Sequence, residues 1–239
     1  MPLPPLTVYL LSGLLCDETI WTDVAARIRE TASVRIVSFP EFNSIGKMAD
    51  HVLAMAPSKF AIVGHSMGGR VALEVIRKAP ARVVGLAIFN SGAHPRRAGE
   101  IESRGRLVAI AKEKGMGALA AEWLPPMMGA SEKRTAELMP QLTAMVMRGT
   151  PEGFALQITA LLDRPDAEAV LPHIKVPVLL GSGTADTWSP ISQLEDMWRR
   201  IPNATLVVIE NAGHMSPIER PDLVSTALRD WLERLASSG

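Results

Sequence analysis

The stretch Gly64-His65-Ser66-Met67-Gly68-Gly69 holds the residue types a serine nucleophile needs. It follows the apolar run Ala61-Ile62-Val63 and opens an amphipathic stretch, so the G-x-S-x-G pattern stands in a strand–turn–helix context. A serine placed on so tight a turn adopts unfavourable backbone angles, at roughly 1–3 kcal/mol. Glycines two before and two after it leave room for the neighbouring strand and helix. The helix that begins there aims free N–H groups at any developing anion. The chemistry indicated is nucleophilic attack on a carbonyl carbon.

A serine hydroxyl is a weak nucleophile until a base removes its proton, and histidine is the side chain whose pKa suits that task near neutrality. The chain has five: His51, His65, His94, His173 and His214. His65 adjoins Ser66 on a sharp turn and points elsewhere. His51 falls in a helical stretch and His173 just before a strand. His94 follows the fourth strand. His214, in Asn211-Ala212-Gly213-His214-Met215-Ser216-Pro217, directly follows the last strand and is the expected base. Its imidazole needs an acid to hold the tautomer. Asp186 follows the strand ending at Gly181 and precedes His214 by 28 residues; Asp163 and Asp166 are the outside candidates. Two backbone N–H groups should receive the oxyanion, each worth roughly 3–4 kcal/mol. Met67 supplies one, and Leu14, in the loop Ser12-Gly13-Leu14-Leu15 after the first strand, supplies the other.

These residues converge only if the strands run one way. Short apolar runs at Thr7–Leu11, Val34–Ser38, Phe60–Val63, Val83–Phe89, Val176–Gly181 and Thr205–Ile209 alternate with helical patterns at about Ile20–Glu30, Ile45–Ala56, Gly69–Ala79, Pro190–Arg200 and Pro221–Ala236. Runs this apolar suit strands buried on both faces of a parallel sheet, and strand–helix–strand repetition implies right-handed crossovers. About six all-parallel strands are expected, with Ser66, Asp186 and His214 leaving from one edge.

Residues 93–172 break the rhythm. They contain no convincing strand, and helix punctuation falls at Pro125-Pro126, Gly149 to Pro151 and Pro165. So long a stretch is not an ordinary loop. It reads as a helical insertion over the strands' carboxyl ends, interrupting a core of residues 1–92 and 173–239. Six methionines (Met116, Met127, Met128, Met139, Met145, Met147) lie in it. They suit either helix packing or an adaptable apolar pocket. Trp123, Leu124, Met127, Met128 and Met145, with Trp188, Ser12 and Leu15, are the expected pocket residues.

Composition excludes other classes. Lys plus Arg and Asp plus Glu are 25 each, so there is no basic excess of the kind a phosphate-driven nucleic-acid binder shows. The single cysteine, Cys16, cannot form an intramolecular disulfide and suits a reducing compartment. It reads as a small buried thiol. No segment approaches the roughly 18 apolar residues of a membrane span, and the start carries no basic signal-peptide region, so a cytoplasmic protein is expected. Gly181-Ser182-Gly183 is not a dinucleotide fingerprint, because Asp186 and Pro190 follow too soon. There is no phosphate-cradling loop and no zinc-spaced cluster, so neither a metal nor an organic cofactor is expected. Nothing in the sequence decides between a monomer and a homodimer.

With these motifs in place, the chain resembles the α/β-hydrolase fold superfamily, in particular its bacterial esterase, enol-lactonase and C–C-bond hydrolase branch. The likeness rests on Ser12-Gly13-Leu14-Leu15, the Gly64–Gly69 elbow, Pro177-Val178-Leu179-Leu180-Gly181 leading to Asp186, and Gly213-His214 followed by Pro217, Glu219, Arg220 and Pro221. The order Ser…Asp…His is that of the superfamily's triad. The resemblance implies Ser66, Asp186 and His214 as triad, Leu14 and Met67 as oxyanion donors, and residues 93–172 as the cap. Many relatives have His-Gly where this chain has Ser12-Gly13. The expected function is a serine hydrolase cleaving carboxylic esters of small to medium apolar acids. Alternatives on the same framework are a lactonase, thioesterase or C–C hydrolase, a lyase of menaquinone biosynthesis, and a non-catalytic ligand receptor.

Overall fold

The computed structural model describes residues 6–237. Six strands form one parallel sheet: β1 (Thr7–Leu11), β2 (Ser33–Val37), β3 (Phe60–His65), β4 (Val83–Phe89), β5 (Val178–Gly183) and β6 (Ala204–Ile209), in the order β2-β1-β3-β4-β5-β6. Central β3 is buried throughout, whereas the edge strands β2, which carries Arg35, and β6 are partly open to solvent.

Between the strands lie α1 (Thr22–Ile28), α2 (Ile45–Met55), α3 (Met67–Lys78) and α7 (Ile191–Arg200); after β6 come the short α8 (Ser216–Glu219) and α9 (Pro221–Ser237). The strand order reverses direction between β1 and β3. Right-handed crossovers therefore put α1 on one face and α2 and α3 on the other; α1 packs on α9 and α2 on α3. Trp21, Trp231, Phe39, Phe60 and Phe89 are fully buried in the resulting core. Such a reversal opens a crevice at the carboxyl ends of the strands, where ligands bind in sheets of this kind.

The expected helix at 20–30 begins instead as a 3-10 turn over Glu18–Ile20, capped by the Asp17 side chain, before α1 starts at Thr22. The helix after Ser66 starts two residues earlier than its pattern suggested, because Met67 and Gly68 already turn within it. Residues between β4 and β5 form α4 (Glu100–Trp123, broken at Gly115 with φ 83°), α5 (Glu132–Met147) and α6 (Pro151–Leu162). The gaps between these helices fall at the anticipated Pro125-Pro126 and Gly149 to Pro151, whereas the break at Gly115 was not anticipated. α4 packs on both α5 and α6.

Candidate active site

Ser66 occupies the corner between β3 and α3 with φ 53° and ψ −116°. The corner is enforced by contact. A Cβ on Gly64 would lie 2.3 Å from the Gly68 carbonyl oxygen, and one on Gly68 would lie 2.2 Å from that of Leu11. Leu15, Asn90 and Asn211 are the other described non-glycine residues with positive φ. They follow β1, β4 and β6, so this strain gathers at one rim of the sheet, where positions of this kind persist only if their surroundings hold them.

The structure brings Ser66, His214 and Asp186 together. Ser66 Oγ lies 2.8 Å from His214 Nε2, and His214 Nδ1 lies 3.0 and 3.1 Å from the Asp186 carboxylate oxygens. Asp186 is buried and also accepts from the backbone N–H groups of Trp188 and Ser189, at 2.8 and 2.9 Å. Burial opposes its ionisation, but the His214 hydrogen bond and charge, with those of Asn90 and Ser189, hold its carboxyl down at about 2. An ionised Asp186 requires the proton on His214 Nδ1, which leaves the Nε2 lone pair facing the serine hydroxyl.

Asn90 escaped the sequence reading. Fully buried at the end of β4, it donates from Nδ2 to Asp186 at 2.8 Å and to the Gly213 carbonyl at 3.0 Å, and its Oδ1 accepts from Ser216. One side chain thus braces both the acid and the histidine loop. The only sequence signal is a polar residue tolerant of positive φ directly after a strand. His65 also faces this loop: its Nε2 donates to the His214 carbonyl at 2.7 Å, and Nδ1 is buried without a partner. Desolvation pushes its pKa down to about 3, so it is a neutral support and not a base. Of the remaining histidines, His94 is bonded to Arg70, His51 sits on exposed α2, and His173 closes a 3-10 turn at the amino end of β5.

Leu14 and Met67 both face the cavity before Ser66, and no acceptor among the described residues takes either N–H. The Leu14 loop is held from above. Gln157 of α6, almost fully buried, accepts from Leu15 N–H at 3.0 Å and donates to the Phe39 carbonyl at 2.7 Å. Cys16 is buried and its thiol is pushed up to about 12 by burial and the charge of Asp17, which suits an inert packing role.

Glu219 ties the insertion to the histidine loop. Its buried carboxylate accepts four backbone N–H groups: Gly129 and Ala130 at 2.7 Å each, Gly213 at 2.9 Å and Met215 at 3.1 Å. His214 N–H donates to the Met127 carbonyl at 2.7 Å across the same seam. Glu219→Gln presents an amide N–H to donors, leaving buried groups unpaired at about 1–3 kcal/mol each. We expect this variant to lose about 3 kcal/mol of stability, lowering Tm by roughly 6–12 °C in a chain of this length; thermal denaturation checks it.

The cavity beside Ser66 measures about 500 Å³. Of the expected pocket residues, Trp123, Met127 and Trp188 line it and the others do not. Ser12 is buried with its hydroxyl tied to the Asp17 carbonyl, and Leu124 is fully buried. Leu15 and Met145 face a neighbouring cleft, and Met128 is half-buried outside both. The lining is also strongly charged: it includes Arg70, Arg97, Arg104, Arg106 and Arg164 against Glu100 and Glu122. Most insertion methionines serve helix packing instead. Among the described residues no helix is long and apolar enough to cross a membrane.

A parallel sheet with a strained serine elbow at its reversal point, hydrogen-bonded to a histidine after the last strand, defines an alpha/beta hydrolase. The chain belongs to that family, whose model matches residues 10–227. It is 28% identical to the pimeloyl-(acyl-carrier protein) methyl ester esterase of Neisseria meningitidis serogroup B (strain H44/76), over 95% of this chain and 92% of that protein. It is 26% identical to the 2-succinyl-6-hydroxy-2,4-cyclohexadiene-1-carboxylate synthase of Enterobacter sp. (strain 638), over 93% and 90% of the two chains. Among solved structures it is similar to a malate-bound thermophilic esterase from Thermogutta terrifontis, with TM-score 0.87, 29% identity and coverage of 97% of this chain and 91% of that one.

Proposed function

We propose that the protein is a serine hydrolase that cleaves carboxylic esters of small to medium acids through an acyl-enzyme. The observation that carries this reading is the unbroken hydrogen-bonded relay Ser66–His214–Asp186 at the floor of a cavity. Ser66 Oγ attacks the ester carbonyl carbon while its proton passes to His214 Nε2. Asp186 stabilises the imidazolium without taking the proton. The carbonyl oxygen, now an anion, is received by the N–H groups of Leu14 and Met67. Collapse expels the alcohol, which takes the proton from His214. Water then enters, loses a proton to His214 and attacks the acyl carbon, and the acid leaves as Ser66 is restored. Residues 93–172 act as the cap, with Trp123, Met127, Leu107 and Leu161 packing on the acyl chain. No cofactor takes part in this scheme, and the methyl ester esterase of N. meningitidis is a relative with ester-cleaving activity in its name.

The Enterobacter relative suggests a second reading, a lyase using the same three residues. The cationic lining favours it, since that relative's name describes a carboxylate. Acylation separates the two. A panel of p-nitrophenyl esters from acetate to palmitate should show a burst of p-nitrophenolate equal to the enzyme concentration, greatest for short and medium chains. A fluorophosphonate should label Ser66, as shown by mass spectrometry of the peptide. Labelling without a burst would favour the lyase. Absence of labelling would overturn both readings and leave a receptor.

A further inference from the structure

The cavity wall carries more positive charge than its own carboxylates neutralise. Glu100 is already committed. It holds Arg164 through two bonds, Nη1 to Oε2 at 2.7 Å and Nη2 to Oε1 at 2.6 Å, and Arg104 through Nε at 3.3 Å. Burial opposes ionisation of Glu100, yet these partners keep its carboxyl down at about 2. Glu122 is paired with Arg106. Arg97 gives its backbone N–H to the Glu100 carboxylate at 3.0 Å, but among the described residues neither its guanidinium nor that of Arg70 forms an ion pair with a carboxylate, and both residues line the cavity.

Arg70 is the more informative. It lies in the first turn of α3, the helix that Ser66 precedes at the corner, and both residues line the same cavity. Its guanidinium is fixed by two neutral acceptors: Nη1 donates to the His94 carbonyl at 2.9 Å, and Nη2 donates to His94 Nε2 at 3.1 Å. That bond requires the proton on His94 Nδ1, which donates to the Pro95 carbonyl at 2.8 Å. His94 is therefore neutral and adds no charge. Burial first, and then the nearby charge of Arg164, push the Arg70 pKa down to about 9 against the opposing pull of Glu100. Five donors cannot all be used by two acceptors, and the side chain that carries the spare ones lines the cavity. Isolated charge in such a place is costly unless a ligand completes it.

We propose that the natural substrate is an ester bearing a second, free carboxylate, and that Arg70 receives this carboxylate while Ser66 attacks the ester, with Arg97 drawing the anion in from the mouth. This rests on the esterase reading above. A monoanion fits better than a phosphate dianion because one partly buried guanidinium is left unneutralised beside the serine. The planar fork also matches carboxylate geometry. The binding step is a hydrogen-bonded ion pair and adds no bond-making to the hydrolysis.

Two substrates of equal length test it: monomethyl adipate and methyl hexanoate, followed by acid release. The wild type should favour monomethyl adipate in kcat/KM by at least about 10-fold, and Arg70→Met should lower that ratio by about 10- to 100-fold, the range of a charge-assisted pair. Arg70→Lys, which keeps the charge and loses the fork, should fall between, and Arg97→Met should lower the ratio less and weaken its salt dependence. A second readout does not require turnover. Adipate should quench the fluorescence of Trp123 and Trp188, which line the cavity, in the wild type and not in Arg70→Met, while inorganic phosphate and hexanoate should bind more weakly. Turnover of methyl hexanoate with no preference for the charged ester and no adipate binding would overturn the proposal and leave the esterase intact. Adipate binding lost in Arg70→Met, without turnover of either ester, would sustain the carboxylate site and remove the esterase. Phosphate binding more tightly than adipate would also overturn it.

Discussion

Ser66→Ala is expected to lower kcat/KM for every ester turned over by about 10⁴-fold or more, with the fold unchanged. Under the proposed mechanism the effect is large because the Ser66 oxygen is the atom that becomes acylated, and the other members of the relay have no task without it. His214 Nε2 would face a methyl group, and Asp186 would hold a base with nothing to deprotonate. The residual rate would come from Leu14 and Met67 N–H groups and from binding, acting on water as the nucleophile. Steady-state rates on a p-nitrophenyl ester, with circular dichroism to verify folding, read this directly. Because Ser66 is strained at φ 53°, alanine is no worse for the turn than serine, so stability should change little. A variant that retains more than about 1% of the activity would show that another group attacks the ester.

The second large effect concerns acid stability. His65 is 1% exposed, and burial lowers its pKa from 6.5 to about 3. The unfolded chain binds a proton at this residue near pH 6.5, while the folded chain refuses it until near pH 3. Across that window the unfolded state holds more protons, so stability falls as pH falls. The contribution is complete above pH 6.5 and is lost on descent toward pH 3, at about 1.4 kcal/mol per unit. His65→Asn keeps a donor for the His214 carbonyl and removes the titration. Between pH 6.5 and 5.0 the stability gap between wild type and variant should shrink by about 2 kcal/mol, read from urea unfolding at each pH. Parallel curves would show that His65 is protonated in the folded protein.

How far the site could be read depended on how its residues are distributed. Ser66, Asp186 and His214 were legible because each follows an apolar run, and parallel strands bring all such ends to one rim. The sheet was legible for the same reason; the bounds slipped most at β3 and β5, which run on through Gly64-His65 and Ser182-Gly183, residues that read as turns in the sequence. Asn90 was not, since an asparagine after a strand reads as a turn until its amide is seen reaching Asp186. Glu219 belongs to the segment that carries the family likeness, but its four N–H partners come from two distant loops. The arginines were hidden by dispersal: Arg70 lies on α3, Arg97 in a loop, Arg104 and Arg106 on α4, and Arg164 beyond α6. No period links them. The methionines misled in the opposite sense. Abundant and clustered in sequence, most of them pack against the core, Met147 is exposed, and of those in the insertion only Met127 lines the cavity.

The Glu219 clasp bears on how substrates come and go. Residues 127–130 and the turn carrying His214 share one carboxylate and a direct backbone bond, so neither can shift without dragging the other. Peeling the insertion away along this line would displace His214 from Ser66 as well. An opening that leaves the relay intact would pivot about this clasp, like a door on its hinge, and part the lining on the side that carries Arg97 and Arg106. Traffic would then pass the cationic gateposts before it meets the serine.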